Sequence, residues 1–299
     1  MKNQPNELSK LIQDEIIKAT GLPPNKFTHS LFWPFLHKLT DHLADLLDHF
    51  DYLVGDKGLP KASQWLYMNF CNPARAFGNE NIPKEGPLLV VTNHPGAYDA
   101  LVVFSELNRQ DIKWISNDIP AFHLCKNVQQ HILYSSNTHP EGRFLVLRNA
   151  IQHLQSGGAL VYIASGGRDP DPAVYSGADL AIDHWLDTFD TFNKYVHGLR
   201  ILPTMVSHII SPKWVNHPVS WLRRDERWKQ ILSEFSQVLY QLSHPGRLMI
   251  NPAISFGESI SEAEIRNQTG DGNLRAAVID REQVLLKEHL ARFNGSLSD

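Results

Sequence analysis

The stretch VVTNHPGAYDALVVF, residues 90 to 104, joins two apolar runs through a polar turn. Val90-Val91 reads as the end of a buried strand, and Ala100 to Phe104 as the opening of a helix. Pro95-Gly96 favours a tight turn, and Asp99 stands where a helix starting at Ala100 would want its N-cap. In a parallel sheet such a strand-to-helix turn lies at the carboxyl edge, where functional groups collect. An imidazole and a carboxylate at that edge make His94 and Asp99 the candidate catalytic residues. The plainer alternative is that Asp99 only caps the helix and His94 only fills the loop.

Outward from this stretch the pattern repeats. PLLVVTN, IKWIS, HILYSS, ALVYIAS, RILPTMVS and RLMINPAIS read as short strands, with DALVVFSELNR, GRFLVLRNAIQHLQSGG and RDERWKQILSEFSQVLYQLS as helices between them. That alternation predicts an α/β fold with a largely parallel central sheet flanked by helices. Ahead of it the texture is helical. Phe32, Phe35, Leu36, Leu39, Leu43, Leu46, Leu47, Phe50 and Leu53 recur every three or four residues as one stripe, with Gly55 as the expected stop. With NELSKLIQDEIIKA and KASQWLYMNFC on either side, this predicts a small N-terminal helical bundle over 1–80. Turn-rich GNENIPKEG then leads into an α/β domain over 81–299.

Composition narrows the function classes. The 299 residues, 42% hydrophobic and 20% charged, suit a soluble globular protein, and a net charge of -4 argues against a nucleic-acid partner. Two cysteines, Cys71 and Cys125, make neither a disulfide framework nor a zinc cluster. The N-terminus has no apolar signal core, and no apolar run reaches the roughly 20 residues that span a bilayer. A cytoplasmic protein that can still touch a membrane surface is expected.

A second strand-to-turn segment follows in ALVYIASGGRDPDP. Ser165-Gly166-Gly167-Arg168 offers small residues, backbone N–H groups and one fixed positive charge, the parts of a phosphate or carboxylate seat. The HxxxxD spacing of His94 and Asp99, this segment and the strand ILPTMVS together resemble the glycerophospholipid acyltransferase superfamily. The chain resembles the soluble, plastid-type glycerol-3-phosphate acyltransferases, whose third motif also reads Ser-Gly-Gly-Arg-Asp, more closely than the membrane-bound relatives with Glu-Gly-Thr-Arg. The resemblance covers roughly residues 80 to 260.

It implies transfer of a fatty acyl group from acyl carrier protein or acyl-CoA to a hydroxyl of glycerol 3-phosphate or a lysophospholipid, with no cofactor. His94 would be the general base and Asp99 its orienting partner. Backbone N–H groups from Gly96 to Asp99 are the candidate oxyanion donors. Arg168 matches the phosphate-binding arginine, and Asn93, Ser165, Gly166 and Gly167 complete the expected substrate-binding set. Two departures stand out. Where the family carries a second arginine two places on, this chain has Pro170 or a deletion, and Ser136-Asn137 stand where the family has a basic pair, leaving His139 or Arg143 to supply charge.

Other features carry less. His37, His42 and His49 beside Asp41, Asp45 and Asp48 lack a metal-ligand spacing and read as a solvated helix face. WLRRDERWKQ (221–230) could dock an acidic carrier protein or an anionic membrane, though a charged helix start explains it as well. Two rival functions remain. One is a serine hydrolase using Ser165, although Ile163 breaks the G-x-S-x-G elbow. The other is a degenerate acyltransferase fold that binds lipid or an acyl carrier without turning it over.

Overall fold

Strand β2 (Leu88–Thr92) is buried at every position because both of its faces are covered. The computed structural model describes residues 4–135, 140–185, 188–215, 217–261, 264 and 274–294. The other strands are β1 (Arg75–Phe77), β3 (Ile112–Asn117), β4 (Ile132–Ser135), β5 (Ala159–Ile163), β6 (Arg200–Ser207), β7 (Ala253–Phe256) and β8 (Ile260–Ser261). The sheet runs β1-β7-β6-β2-β5-β3-β4, with β8 pairing β6. All pairs are parallel except β6–β7 and β6–β8. The expected α/β fold with a largely parallel sheet is what the chain forms.

Helices α1 (Gln4–Thr20), α2 (Lys26–Lys57) and α3 (Leu59–Tyr67) precede the sheet, and α4 (Asp99–Leu107), α5 (Pro140–Gln155), α6 (Ala178–Asp183), α7 (Phe189–Tyr195), α8 (Pro212–Val215), α9 (Glu226–Ser243) and α10 (Leu274–Asn294) follow or cover its strands. None of the described helices is long and apolar enough to cross a membrane. Alternation along β2 divides the core. Leu88 and Val90 pack with Phe50, Leu59, Leu66, Val102 and Phe104 on one face, and Leu89 and Val91 with Leu154, Phe189, Phe192 and Val278 on the other.

The N-terminal helices share the first of these cores. Phe50, Leu53 and Val54 of α2 and Leu59, Leu66 and Tyr67 of α3 belong to one apolar cluster with the strands, while a smaller cluster joins α1 to α2. Phe35, placed on the buried stripe by its spacing, is 75% exposed. Gly55 does not stop α2, which runs on to Lys57 and ends at Gly58 with φ +83°. Gly55 instead lets Asn127 approach, since an added Cβ would lie 2.9 Å from the Asn127 amide carbon. Because β1 and much of this cluster lie within the first eighty residues, removing residues 1–80 is expected to leave no cooperatively folded domain. Near-ultraviolet circular dichroism and a urea melt of the truncated chain would test this; a sharp transition would show that residues 81–299 fold alone.

Beneath β6 and β7, His289 of α10 is fully buried between Ser207, 2.6 Å from its Nε2, and Ser255, 2.8 Å from its Nδ1. Burial, then the neighbouring His208, Arg75 and Arg292, lowers His289 to about 3. His208 is lowered to about 4 by burial and Arg75. Both stay neutral in the fold while their unfolded counterparts protonate near 6.5. Their contribution to stability is therefore complete above about pH 6.5 and falls as the pH drops toward 4, by up to about 1.4 kcal/mol per pH unit for each histidine. A His289→Gln variant should show a shallower loss of urea midpoint between pH 6.5 and 4.5 than the native chain. Equal slopes would remove His289 from the account.

Candidate active site

The turns after β2, β5 and β6 meet at one edge of the sheet. Asn93 extends the β2–β6 ladder by one rung: its amide donates to the Val206 carbonyl and accepts from the Val206 N–H, each at 2.8 Å. Its buried side chain is thereby committed to backbone. The next residue, His94, turns its ring toward Asp99, with Nδ1 2.8 Å from Oδ2. The same carboxylate accepts from the Gly96 N–H at 2.9 Å and from the Ala100 N–H. Asp99 is the first residue of α4 and Tyr98 its N-cap, so the carboxylate reaches back to the imidazole instead of capping from outside the helix. With Asp99 accepting, Nδ1 carries the hydrogen and Nε2 presents the lone pair. Gly96 has to be glycine, because a methyl there would strike Ile209.

The second turn is stapled to the first. Asp169 is buried, and its carboxylate accepts from the His94 N–H and lies 2.8 Å from the Ser165 hydroxyl, while its own N–H donates to the His94 carbonyl at 3.0 Å. Burial pushes its carboxyl up, and the Ser165 and His94 donors pull it back. Asp171, with no exposed surface, accepts the N–H groups of Ala173, His208, Ile209 and Ile210. His208 has φ +58°, which turns consecutive N–H groups toward one anion, here a carboxylate of the same chain. Ser165-Gly166-Gly167 is less open than its sequence suggests. Gly166 N–H donates to the Ile163 carbonyl at 3.2 Å and Gly167 N–H to Ser165 Oγ at 3.3 Å.

Arg168 lies across the histidine. Its Nη1 is 2.8 Å from Nε2 and 3.1 Å from Nδ1 of His94, and its Nη2 donates to Glu234 Oε1 at 3.1 Å. Glu234 is buried; burial pushes its carboxyl up, while Arg168, then His94, pull it down and Asp99 pushes it up. Helix α9 contributes more than this one residue. Gln230 donates to the Pro95 and Asp169 carbonyls at 2.9 and 2.7 Å, and Gln237 donates to the Ile209 carbonyl at 3.0 Å. Gln241 accepts from the Tyr98 hydroxyl at 2.7 Å. Residues 230, 234, 237 and 241 follow the three-four spacing of one helix face, so a single buried polar stripe holds all three turns together.

An apolar cavity of about 320 Å³ lies against the turn that carries His94 and Asp99, bordered by Ala97 and Tyr98 and not by the two residues themselves. Ala97, Tyr98, Leu101 and Phe104 line it from the first turn and α4, Leu43, Leu47 and Phe50 from α2, Ile12 and Ile16 from α1, and Glu234, Phe235 and Leu239 from α9. The N-terminal helices thus form one wall, with Phe50 of the aromatic stripe on it. Cys71 and Cys125 are both buried. Burial, helped at Cys125 by Asp51 and Asp48, raises both thiols, the latter to about 12, and leaves neither a ready nucleophile.

Compared with solved structures, the chain is similar to a crystal structure of the 1-acyl-sn-glycerophosphate (LPA) acyltransferase PlsC from Thermotoga maritima. The two share 15% sequence identity over 98% of each chain, with a TM-score of 0.44. No protein-family model matches the chain, and no curated protein does. At that identity and TM-score no residue's role passes from the neighbour, so the site stands on its own geometry.

Of the residues singled out from sequence, the structure brings His94, Asp99, Ser165, Gly166, Gly167 and Arg168 to one edge, with Asn93 buried beneath them. His139, like Ser136 and Asn137, lies outside the described residues, and the side chain of Arg143 in α5 is likewise outside them. In 221–230, Asp225 accepts from the Trp228 N–H as the cap of α9, while Arg223 lies over the Trp228 ring and donates to the Ala19 carbonyl. Sequence reading missed Asp169, Asp171, Gln230 and Glu234. The signal available for the last two was the Gln/Glu residues repeating at 230, 234, 237 and 241 along one face of the helix.

Proposed function

We propose that the protein transfers a fatty acyl group from a thioester, on acyl carrier protein or coenzyme A, to a hydroxyl of a phosphate-bearing glycerol or glycerolipid acceptor, in the cytoplasm at or near a membrane surface. The observation that carries this reading is the His94–Asp99 pair in a turn whose next residues, Ala97 and Tyr98, line an apolar cavity of about 320 Å³. An imidazole oriented by a carboxylate, in a turn whose Ala97 and Tyr98 border a space fit for an acyl chain, suits acyl chemistry better than chemistry on polar substrates. The resemblance of the HxxxxD and Ser-Gly-Gly-Arg-Asp segments to soluble glycerol-3-phosphate acyltransferases points the same way.

In the proposed step the acceptor hydroxyl attacks the thioester carbonyl carbon as its proton passes to Nε2 of His94. Asp99 stabilises the imidazolium that forms. The tetrahedral intermediate then collapses with cleavage of the carbon–sulfur bond, and the departing thiolate takes the proton back. Gly96 N–H is committed to Asp99, so oxyanion donors are sought among the N–H groups of Ala97 to Asp99 at the start of α4. Arg168 Nη1 must leave Nε2 before a hydroxyl can approach it. The hydrolase alternative is weaker, because Ser165 Oγ lies 2.8 Å from Asp169 and from the Gly167 carbonyl and makes no hydrogen bond to His94.

The test is an acceptor screen with the full chain and radiolabelled palmitoyl thioester, offering glycerol 3-phosphate, lysophosphatidic acid, monoacylglycerol and water. Ester formation with a phosphate-bearing acceptor is expected. Hydrolysis alone, or no turnover with any acceptor, would sink the reading.

A further inference from the structure

Arg168 is where the sequence puts the acceptor's anion, yet its charge is already balanced. The guanidinium donates to the buried Glu234 at 3.1 Å and covers the His94 ring, so an arriving phosphate meets an existing ion pair there. A different arginine stands at the same turn. Arg227, in the first turn of α9, lays its guanidinium against Gly167 so closely that a methyl on Gly167 would fall inside it. Its side chain is exposed, and it forms no hydrogen bond or ion pair with any described residue. The adjacent acids are otherwise engaged: Glu226 pairs with Lys229 at 2.6 Å, and Asp225 caps α9. Gly167 has no left-handed φ, so its lack of a side chain serves this close approach and not the backbone conformation.

We propose that Arg227 is the anion ligand of the acceptor, supplying from α9 the second positive charge that Pro170 removes from the Gly-Gly-Arg turn. The inference rests on the acyl-transfer reading for its choice of ligand, a phosphate monoester on glycerol or a lysophospholipid. A guanidinium resting against the turn can present its paired N–H donors to phosphate oxygens, and a lysine cannot reproduce that fork. Placed over Gly167, next to Arg168, it would hold the acceptor where its phosphate can also draw Arg168 off His94. Arg227 would thus set preference for charged over neutral acceptors, as a binding and positioning residue and not as the base.

The experiment uses the full chain with glycerol 3-phosphate and a short-chain lysophosphatidic acid, binding being read by calorimetry apart from turnover. Arg227→Gln should weaken binding of both about tenfold or more, and Arg227→Lys should weaken it less. Gly167→Ala, which displaces the guanidinium without touching its charge, should reproduce the Arg227→Gln loss. In turnover, acceptor KM should rise with kcat at saturating acceptor little changed, and the KM of palmitoyl-CoA should stay within about twofold. Unchanged affinity in Arg227→Gln, or no binding of either probe to the native chain, would overturn the inference. So would a raised KM for palmitoyl-CoA but not for S-palmitoyl pantetheine, since the anion met by Arg227 would then be the phosphates of coenzyme A. Arg227-dependent binding in a chain that transfers no acyl group would leave the anion site standing and retire the acyl-transfer reading alone.

Discussion

Replacing His94 by Ala is expected to cut acyl transfer by roughly a hundredfold to ten-thousandfold, the usual loss when a positioned general base is removed. The hydroxyl would then have to give its proton to water while attacking. The change should cost little stability, because the ring is one-quarter exposed, with 26% of its side-chain surface open. The Asp99 carboxylate that it leaves behind keeps two backbone donors, Gly96 and Ala100. Rates with palmitoyl thioester and the chosen acceptor, alongside a thermal midpoint, separate the two effects. Asp99→Asn should behave differently and lose both activity and stability. Turned one way, the amide nitrogen faces the Ala100 N–H; turned the other way, it faces both the His94 Nδ1–H and the Gly96 N–H. Near-native transfer by His94→Ala would show that the imidazole is not the base.

The largest stability effect expected of a single substitution lies at Asp171, two residues beyond Asp169 and away from any proton transfer. Asp171→Ala strands the N–H groups of Ala173, His208, Ile209 and Ile210, bonded at 3.0, 3.0, 2.7 and 3.0 Å. Burial pushes this carboxyl up, but those four donors pull it the other way and favour the ionised form. Each buried donor left unpaired costs about 1–3 kcal/mol, and water reaching the gap recovers only part of this. A loss of at least about 3 kcal/mol is expected, read as a shift of the urea midpoint. Asp171→Asn should recover only part of the loss, since its amide oxygen can accept from one pair of these N–H groups while its nitrogen faces the other pair. Activity should fall with it, because the segment 208–210 that Asp171 holds also receives Gln237 and presses Ile209 against Gly96. A loss below about 1 kcal/mol would mean that water replaces the carboxylate as acceptor.

Much of the sheet was legible from local pattern. Strand β2 read as buried because its residues are apolar without alternation, and the turns at Asn93–Asp99 and Ser165–Arg168 followed from proline, glycine and polar residues at strand ends. Three readings failed for reasons that lie outside their windows. Gly55 looked like a helix stop, but the reason for a glycine there is the side chain of Asn127, far along the chain. Phe35 fits the apolar stripe of α2 yet faces outward, since helical spacing does not say how far along a helix its neighbours extend. Gly166 and Gly167 suggested open N–H donors, but a tight turn consumes them internally through Ile163 and Ser165.

The sequence by itself determined the α/β class, the strands that carry the site, and the placing of His94 and Asp99 in one strand-to-helix turn. Each of these depends on residues within about ten positions of one another, where periodicity and turn chemistry act. Only the tertiary structure decided how the turns are joined, by Asp169 across 75 residues to His94, by Asp171 across 37 to His208, and by α9 across 66 from Arg168 to Glu234. It also decided that α1 and α2 wall an apolar cavity bordered by Ala97 and Tyr98 of the first turn, and that the guanidinium against Gly167 comes from Arg227. Such contacts depend on which strands neighbour one another and on the angle at which α9 crosses their ends. Buried carboxylates and amides gain from pairing wherever the fold brings donors to them, and no short window of sequence records where that will be.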